Sequence, residues 1–334
     1  MAVMRRHWIL LLLVLALPFE LVGSQPLARL LVATSAGPYV SFSWGEYWET
    51  LRHRLPLDAR VFYCLGPRAY AGGPGGLFVS DDFGDFWREA GNWEGGAVTG
   101  ILASSYFPAE PVIFVGSADG LWVSRNAGES WERSGGTTIR GPVNAMIWAG
   151  PVLFVATARG LFQSVDAGFE WARLGEDLPE ASVLSIETSS YFPAEAVMFV
   201  GPENGGIYRS RDAGEHFEAV SEEDWAGRSV RAIEWWHASL FVGTDAGLFL
   251  SQDAGETWTS ASAELRGKKI SAISIPAAES NLGSDILLGT EQGVFKSSDG
   301  ATTWREANEG MSASTIYAFG SFPIPPEPLD MRGR

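Results

Sequence analysis

Apolar and polar residues alternate with period two in a short segment that recurs along the chain. From Gly76 it reads GLFVSDDFGDFW, from Gly120 GLWVSRNAGESW, from Gly160 GLFQSVDAGFEW, from Gly206 GIYRSRDAGEHF and from Gly247 GLFLSQDAGETW. Each copy places an apolar residue, an aromatic, a variable residue and Ser in strand alternation, then a polar turn, then an aromatic that opens a second strand. Two looser copies extend the series. Gly293 opens GVFKSSDGATTW, where the turn glycine has moved one place to Gly300 with Ala301 following, and Gly37 opens GPYVSFSWGEYW, where Ser43 stands in the place of Asp. The seven starts lie 39 to 46 residues apart, which is the length of a propeller blade.

Two further strand signals precede each copy. In the fourth repeat they are VNAMIWA (143–149) and VLFVATA (152–158), and matching first strands begin at Ala59, Val98, Val183, Val230 and Ile270. Four strands per repeat predict an all-β protein, a seven-bladed β-propeller of four-stranded antiparallel blades. The first repeat lacks its innermost strand, because LARLLVATS (27–35) matches the second strand of the other blades. After the seventh turn, STIYAFGSF (314–322) matches an innermost strand and has no blade of its own. The expectation is a ring closed by this C-terminal strand, which completes blade 1 and removes the edge an open array would present.

The turn residues have a physical job in every blade. A carboxylate or amide two places after the strand Ser accepts hydrogen bonds from backbone N–H groups further along, as in an Asx-turn, and the glycine two places later supplies a positive φ. These residues are Asp82, Gly84 and Trp87 in blade 2, Asn126, Gly128 and Trp131 in blade 3, and Asp166, Gly168 and Trp171 in blade 4. Asp212, Gly214 and Phe217 follow in blade 5, Asp253, Gly255 and Trp258 in blade 6, and Asp299 with Trp304 in blade 7. The aromatic that ends each copy is expected to pack across its own hairpin, so the set is structural rather than catalytic.

The pattern S-x-D-x-G-x-x-W is the Asp-box. A chain made of such repeats resembles the Asp-box (BNR) propeller superfamily, which includes sialidases, xyloglucanases, sortilin-type receptors and the photosystem II stability and assembly factor. The resemblance covers nearly all of the chain beyond its N-terminal segment, and it is specific for fold rather than function. It is closest to the assembly-factor branch: an N-terminal signal, one seven-bladed domain and an Asp-box in each blade. That likeness implies a protein that works by binding protein, typically in the assembly of membrane complexes from the extracytoplasmic side, without a cofactor. Two departures matter. No lipoprotein Cys follows the N-terminal apolar run, and the strong acidity of the chain fits poorly with a basic docking patch, so a photosynthetic role does not carry over.

The N-terminal segment suggests a destination. Arg5 and Arg6 precede an apolar run (WILLLLVLALPF, 8–19), and small residues follow up to Ser24. This is the layout of a secretory signal peptide. The expected division is a signal peptide over 1–24, the propeller over 25–323 and a tail over 324–334, with an exported location in the periplasm, at the cell surface or in the medium. The run of 12 apolar residues is shorter than the roughly 20 that span a bilayer. Contact with a membrane is then expected only through a partner or an uncleaved signal.

Composition excludes several function classes. With 24 basic and 40 acidic residues the formal net charge is −16, and phosphate backbones need a basic face, so nucleic acid is not an expected partner. The single cysteine, Cys64, cannot form an internal disulfide, which leaves stability to the core and the ring closure. Its neighbours RVFYCLG predict a buried strand. His7, His53, His216 and His237 show no ligand spacing, so no metal is expected. GGPGG (72–76) is followed by no helix signal and reads as a turn rather than a phosphate loop.

Candidate binding residues come from alignment of the innermost strands. Arg60, Thr99, Asn144, Leu184, Arg231, Ser271 and Tyr317 fall in one column, mostly polar within otherwise apolar strands. With Arg140 and Arg228 just upstream, Arg60, Asn144, Arg231 and Tyr317 form a candidate electropositive site near the channel. The competing reading pairs Arg60 and Arg231 with Glu187, Glu234 or loop carboxylates for structure. The loops that join the blades are polar and unlike one another, as binding faces and solvated loops both are. Trp93 and Trp225 on those loops would stack on sugar if they line one concavity.

A second-order repeat is also visible. SSYFPAEPVIFVGS from Ser104 and SSYFPAEAVMFVGP from Ser189 are nearly identical, in blades 3 and 5, which suggests growth by duplication of a two-blade unit. The pairs Tyr106–Phe107 and Tyr191–Phe192 admit two readings, a partner-binding surface or aromatics packed beneath the loop.

The enzymatic members of the superfamily set demands this chain does not meet in sequence. Likeness to sialidases would require a three-arginine clamp, a Tyr activated by Glu, an Asp acid and an Arg-Ile-Pro signature that is absent here. Likeness to xyloglucanases would require an Asp on each of two facing propellers, and one is present. A single-propeller glycosidase using Asp177, Asp224 or Asp245 depends on carboxylate separation, a spatial quantity. The expectation is an exported, monomeric, non-catalytic protein-binding scaffold. A glycan-binding or glycan-cleaving propeller and a purely structural surface protein are the alternatives.

Overall fold

Each alternating segment forms the third strand of a four-stranded antiparallel sheet. In blade 4 the strands Val143–Ala149, Val152–Thr157, Gly160–Ser164 and Ala172–Leu174 lie side by side in chain order. The computed structural model describes residues 29–51, 55–189, 191–220, 227–236, 238–275 and 285–322, and these form seven such sheets with no helix among the described residues. The expected signal peptide (1–24) and the expected tail (324–334) lie outside the described residues. The innermost strands touch one another in cyclic order, and the ring shuts between Ile316–Ser321 and Val61–Leu65. The protein is therefore a seven-bladed β-propeller.

The expected closure is present. Ile316–Ser321 pairs antiparallel with Leu30–Thr34, with Leu30 opposite Ser321 and Val32 opposite Phe319. Phe322 N–H donates to the Arg29 carbonyl and Ser35 N–H to the Thr315 carbonyl, both at 2.9 Å. Across the neighbouring seam, the buried Lys296 ammonium lies 2.7 Å from Glu46 and 2.9 Å from Asp285 and donates to the Trp44 carbonyl. At the rim, the outermost strands are only two or three residues long and mostly exposed, for example Glu49–Thr50 and Arg88–Glu89. Short charged edges of this kind discourage pairing with another chain.

The core lies in the seams between blades. Second strands such as Ile113–Ser117 and Ile286–Thr290 are buried at every position, because both their faces meet a neighbour. Small residues let the blades approach: a Cβ on Gly116 would lie 2.7 Å from Val143, and one on Gly289 would lie 2.6 Å from Ile316. Each contact sets a second-strand glycine against the β-branched residue that opens the next innermost strand.

The closing aromatics do more than brace their own hairpins. Trp87 packs with Leu31, Ala33 and Val40 of blade 1, Trp131 with Tyr70 and Val79 of blade 2, and Trp304 with Phe241 and Leu248 of blade 6. Trp48 belongs to the cluster of Leu287, Val294 and Ala307 in blade 7. The aromatic of each turn enters the seam with the preceding blade, which hairpin-level reasoning does not foresee.

Blade 5 departs from the template. Its third strand is shortened to Tyr208–Ser210, because the longer PENGG connection, with Asn204 at φ +55°, displaces Gly206 and Ile207 from the ladder.

Candidate functional site

The antiparallel order gives the ring two faces. One carries the loops between blades and the second-to-third strand hairpins. The other carries the Ser-x-Asp turns and the connections from first to second strand.

On the turn face, blade 2 shows the local chemistry. Ser80 Oγ accepts the Gly84 N–H at 2.9 Å and donates to Asp82 Oδ1 at 2.8 Å, and Asp82 Oδ1 accepts the Phe86 N–H at 2.9 Å. The same three bonds recur around Asn126, Asp166, Asp212, Asp253 and Asp299. In blade 1, Ser43 Oγ takes the carboxylate's place and accepts the Tyr47 N–H at 3.0 Å. In blade 7, Ala301 rather than Gly300 fills the glycine position, with φ +71° and its N–H on Ser297 Oγ at 2.9 Å.

These donors hold the carboxylates in the ionised form. The Thr257 hydroxyl on Asp253, the Thr303 hydroxyl on Asp299 and the His216 N–H on Asp212 lead in pulling each down to about 2. An acid so committed to its own turn does not exchange protons near neutrality. Asp212, Glu215 and His216 bring ligand atoms within 4.8 Å of one another, all exposed, and Asp212 Oδ2 is already bonded to His216 Nδ1 at 2.8 Å.

At the opposite end of the innermost strands, the polar column has an unforeseen identity. The strand register skips Thr99, Asn144, Leu184, Arg231, Ser271 and Tyr317, and Arg60 and Val61 both face Gly72 in blade 2. The column is thus a ring of β-bulges, one per blade. Several bulge side chains stitch blades together. Thr99 Oγ1 donates to the Val143 carbonyl at 2.6 Å, Asn144 Nδ2 to the Val183 carbonyl at 2.8 Å, and Ser271 Oγ to the Ile316 carbonyl at 2.6 Å. In blade 5, where the bulge residue is apolar, the adjacent Ser185 Oγ donates to the Val230 carbonyl at 2.9 Å. Every acceptor is the carbonyl just ahead of the next blade's bulge.

The arginines of the candidate site share this face. Arg60 stacks over the Tyr317 ring at 5.2 Å, Arg140 and Arg231 are exposed, and Arg228 is half-buried with its carbonyl accepting the Gly206 N–H. Trp93 is packed against Trp122 and Trp131, both at 5.5 Å, and its indole N–H donates to the Gly96 carbonyl. Trp225 and Asp224 lie outside the described residues. Asp177 accepts the Phe217 N–H at 2.7 Å, so it too is engaged with the backbone of the next blade.

The acids proposed as partners for Arg60 and Arg231 face each other instead. Glu187 and Glu234 stand three places after the bulges of blades 5 and 6, at equivalent positions on touching innermost strands. Among the described residues no ion pair joins either to an arginine. Burial pushes the pKa of both upward, that of Glu234 to about 7, and their proximity raises Glu187 further. Loss of hydration accounts for both shifts, and for Glu187 the like charge of Glu234 adds to it. Cys64, on the innermost strand of blade 2, is half-buried, and burial pushes its thiol up beyond the reactive range.

On the turn face, the two SSYFPAE loops adopt one conformation. Ser104 Oγ bonds Glu110 at 3.3 Å and Ser189 Oγ bonds Glu195 at 2.9 Å. Of each aromatic pair, the Phe packs against the preceding blade and the Tyr projects outward: Phe192 meets Phe154 edge to face, while Tyr106 and Tyr191 are 68% and 71% exposed. The packing reading holds for Phe107 and Phe192, while Tyr106 and Tyr191 lie at the surface. Beside the blade 5 loop, a cleft of about 710 Å³ is lined by Ser189, Tyr191, Glu195, Trp235, Gln252 and Asp253. Beside the blade 3 loop, a more apolar cleft of about 550 Å³ is lined by Leu65, Pro67, Phe107, Pro108 and Pro111, with Arg68 and Asp81 at its edge.

The sequence matches no protein-family model and no curated protein. Solved structures share the fold. The GH74 xyloglucanase from Xanthomonas campestris superposes with a TM-score of 0.67 at 15% identity over 85% of this chain and 53% of its own. The extracellular domain of the one-component system BT4673 from B. thetaiotaomicron gives 0.64 at 16% identity over 78% of this chain and 35% of its own. YCF48 from Cyanidioschyzon merolae gives 0.57 at 16% identity over 81% of this chain and 91% of its own. A structure of YCF48 bound to a D1 peptide gives 0.61 at 14% identity, over 80% and 88%. This chain therefore spans about a third to a half of the first two proteins and most of YCF48. Similarities at this identity establish the propeller fold alone, which a xyloglucanase, the extracellular domain of a one-component system and a protein solved with a bound peptide all share.

Proposed function

We propose that this chain is a non-catalytic, protein-binding propeller of the Asp-box type that acts outside the cytoplasm, in the manner of the assembly-factor branch it resembles. The observation that carries the reading is the commitment of its conspicuous acids. The turn carboxylates of blades 2 and 4 to 7 each accept hydrogen bonds from donors of their own turns, and Asp177 accepts the Phe217 N–H. The correspondence in length with YCF48, one structure of which holds a peptide, supports protein as the ligand class. The N-terminal apolar run supports export.

The glycan-cleaving reading keeps one observation in its favour. Glu187 and Glu234 form a carboxyl pair with raised proton affinity, the kind of group a glycosidase uses as general acid.

Purification of the full chain from solubilised native membranes tests the proposal. A partner that stays bound in stoichiometric amount through gel filtration is expected, together with no turnover of β-glucan or sialoside substrates. Turnover that disappears in E187Q or E234Q would replace this reading with the glycosidase one. Partner affinity that survives Arg60→Ala plus Arg231→Ala in a folded protein would remove the bulge face from the binding site.

A further inference from the structure

The cleft between blades 5 and 6 has a lopsided chemistry. It presents two aromatic side chains, Tyr191 and Trp235, two carboxylates, Glu195 and Asp253, and the amide of Gln252, with no cationic side chain among its described lining residues. Its walls are built rather than incidental. Glu195 is fixed by Ser189 Oγ at 2.9 Å, and Asp253 by the Thr257 N–H at 2.9 Å and by Ser251 and Thr257 hydroxyls. Trp235 is held edge to face against Phe199 at 6.1 Å. Fixed anions beside aromatic side chains favour an organic cation, since ring quadrupole and carboxylate both attract positive charge. The nearest guanidinium groups, Arg209 on the Ala254 carbonyl at 3.1 Å and Arg211, are already paired with Glu218 and Glu256.

The two-blade repeat supplies a second copy of the same set. Ser104, Tyr106 and Glu110 of blade 3 correspond to Ser189, Tyr191 and Glu195, and Trp148 and Asp166 of blade 4 to Trp235 and Asp253. Trp148 also meets a Phe of the preceding blade edge to face, Phe114 at 6.0 Å. On this same face Arg125 already stacks over the exposed Phe169 ring at 4.0 Å, an internal instance of the contact inferred for a ligand.

We propose that the blade 5–6 cleft receives an arginine or lysine side chain of a protein partner, held by the aromatic side chains of Tyr191 and Trp235 and the carboxylates of Glu195 and Asp253. This rests on the protein-binding reading above and specifies its chemistry: the partner presents a basic segment to the turn face.

The test is a titration of the isotopically labelled full chain with acetyl-Gly-Arg-Gly-Arg-Gly-amide, followed at the tryptophan indole resonances. The peptide is expected to shift the Trp235 signal saturably, with affinity that falls as salt rises. The same peptide with citrulline in place of arginine is expected to bind about tenfold or more weakly, the loss of a cation–π and charge contact. Tyr191→Ala and, as a variant that keeps the loop's shape, Glu195→Gln are each expected to weaken the arginine peptide severalfold. Equal binding of the citrulline peptide, or saturation of the Trp235 signal by a xyloglucan oligosaccharide instead, would overturn the proposal. If a natural partner co-purifies undiminished with Tyr191→Ala plus Glu195→Gln, this cleft is wrong while the protein-binding reading stands. If no partner is found, that reading falls, and the peptide titration still decides the chemistry of the cleft.

Discussion

The indole N–H of Trp48, in blade 1, donates to the backbone carbonyl of Ala307, in blade 7, at 2.8 Å. The ring is fully buried among Leu287, Val294 and Met311, so one side chain both fills the closing seam and satisfies a polar group within it. Trp48→Phe keeps much of the volume and loses the bond; an expected cost of about 1–3 kcal/mol follows from a buried acceptor left unpaired. Trp48→Ala adds a cavity and is expected to cost about 3–5 kcal/mol. Urea denaturation of the two variants measures both, and equal costs would show that the bond contributes nothing.

Removal of residues 312–334 deletes the innermost strand of blade 1 and leaves Leu30–Thr34 with an unpaired edge. The truncated chain is expected to aggregate or to lose its cooperative thermal transition. An unchanged melting temperature would contradict the closure.

The bulge ring separates stitching from binding. Asn144→Ala removes bonds to the Val183 carbonyl and to Ser182 Oγ, both 2.8 Å, and is expected to destabilise by about 1–2 kcal/mol. Arg231 is exposed, and Arg231→Ala is expected to change stability by less than about 0.5 kcal/mol. Chemical denaturation of both variants checks the contrast.

Stability should peak on the acid side of neutrality. Glu187 and Glu234 bind protons more tightly folded than unfolded, so stability falls as pH rises above the ordinary carboxylate range, for Glu234 through about 7. Asp212, Asp253 and Asp299 are shifted the other way, to about 2, so their contribution is lost as pH falls from about 4 towards 2. Melting temperatures measured from pH 3 to 8 should rise and then fall, and E187Q plus E234Q should flatten the alkaline limb. A profile unchanged by those substitutions would mean that the pair does not titrate as described.

Much of the fold was legible because each repeat states its local structure independently. Period-two alternation marks the third strand, Asp166 and Gly168 mark its turn, and the orphan strand at 314–322 implies the closure. The seam role of Trp87 and Trp131 was not legible, since a hairpin considered alone does not say which neighbour its aromatic will meet. The alignment isolated Thr99, Asn144 and Ser271 as exceptional, but a polar residue within a strand looks the same whether it binds a ligand or a bulge turns it onto the next blade's carbonyl. Opposite charges pair by default, so sequence alone offers Glu187, Glu234 or loop carboxylates as partners for Arg60 and Arg231; the relation of the two glutamates depends on two innermost strands touching in register. The cleft beside Tyr191 draws on residues from blades 5 and 6, and only the duplicated SSYFPAE loop hinted at it.

The closing strand also fixes an order of events. Six blades are each made from one continuous stretch of chain and can form as that stretch is completed. Blade 1 joins residues 30–50 to residues 316–321, so it waits, edge exposed, until the other six have been synthesised. During that interval the half-built ring presents a sticky strand. Whatever escorts the nascent chain has most reason to hold it at Leu30–Thr34.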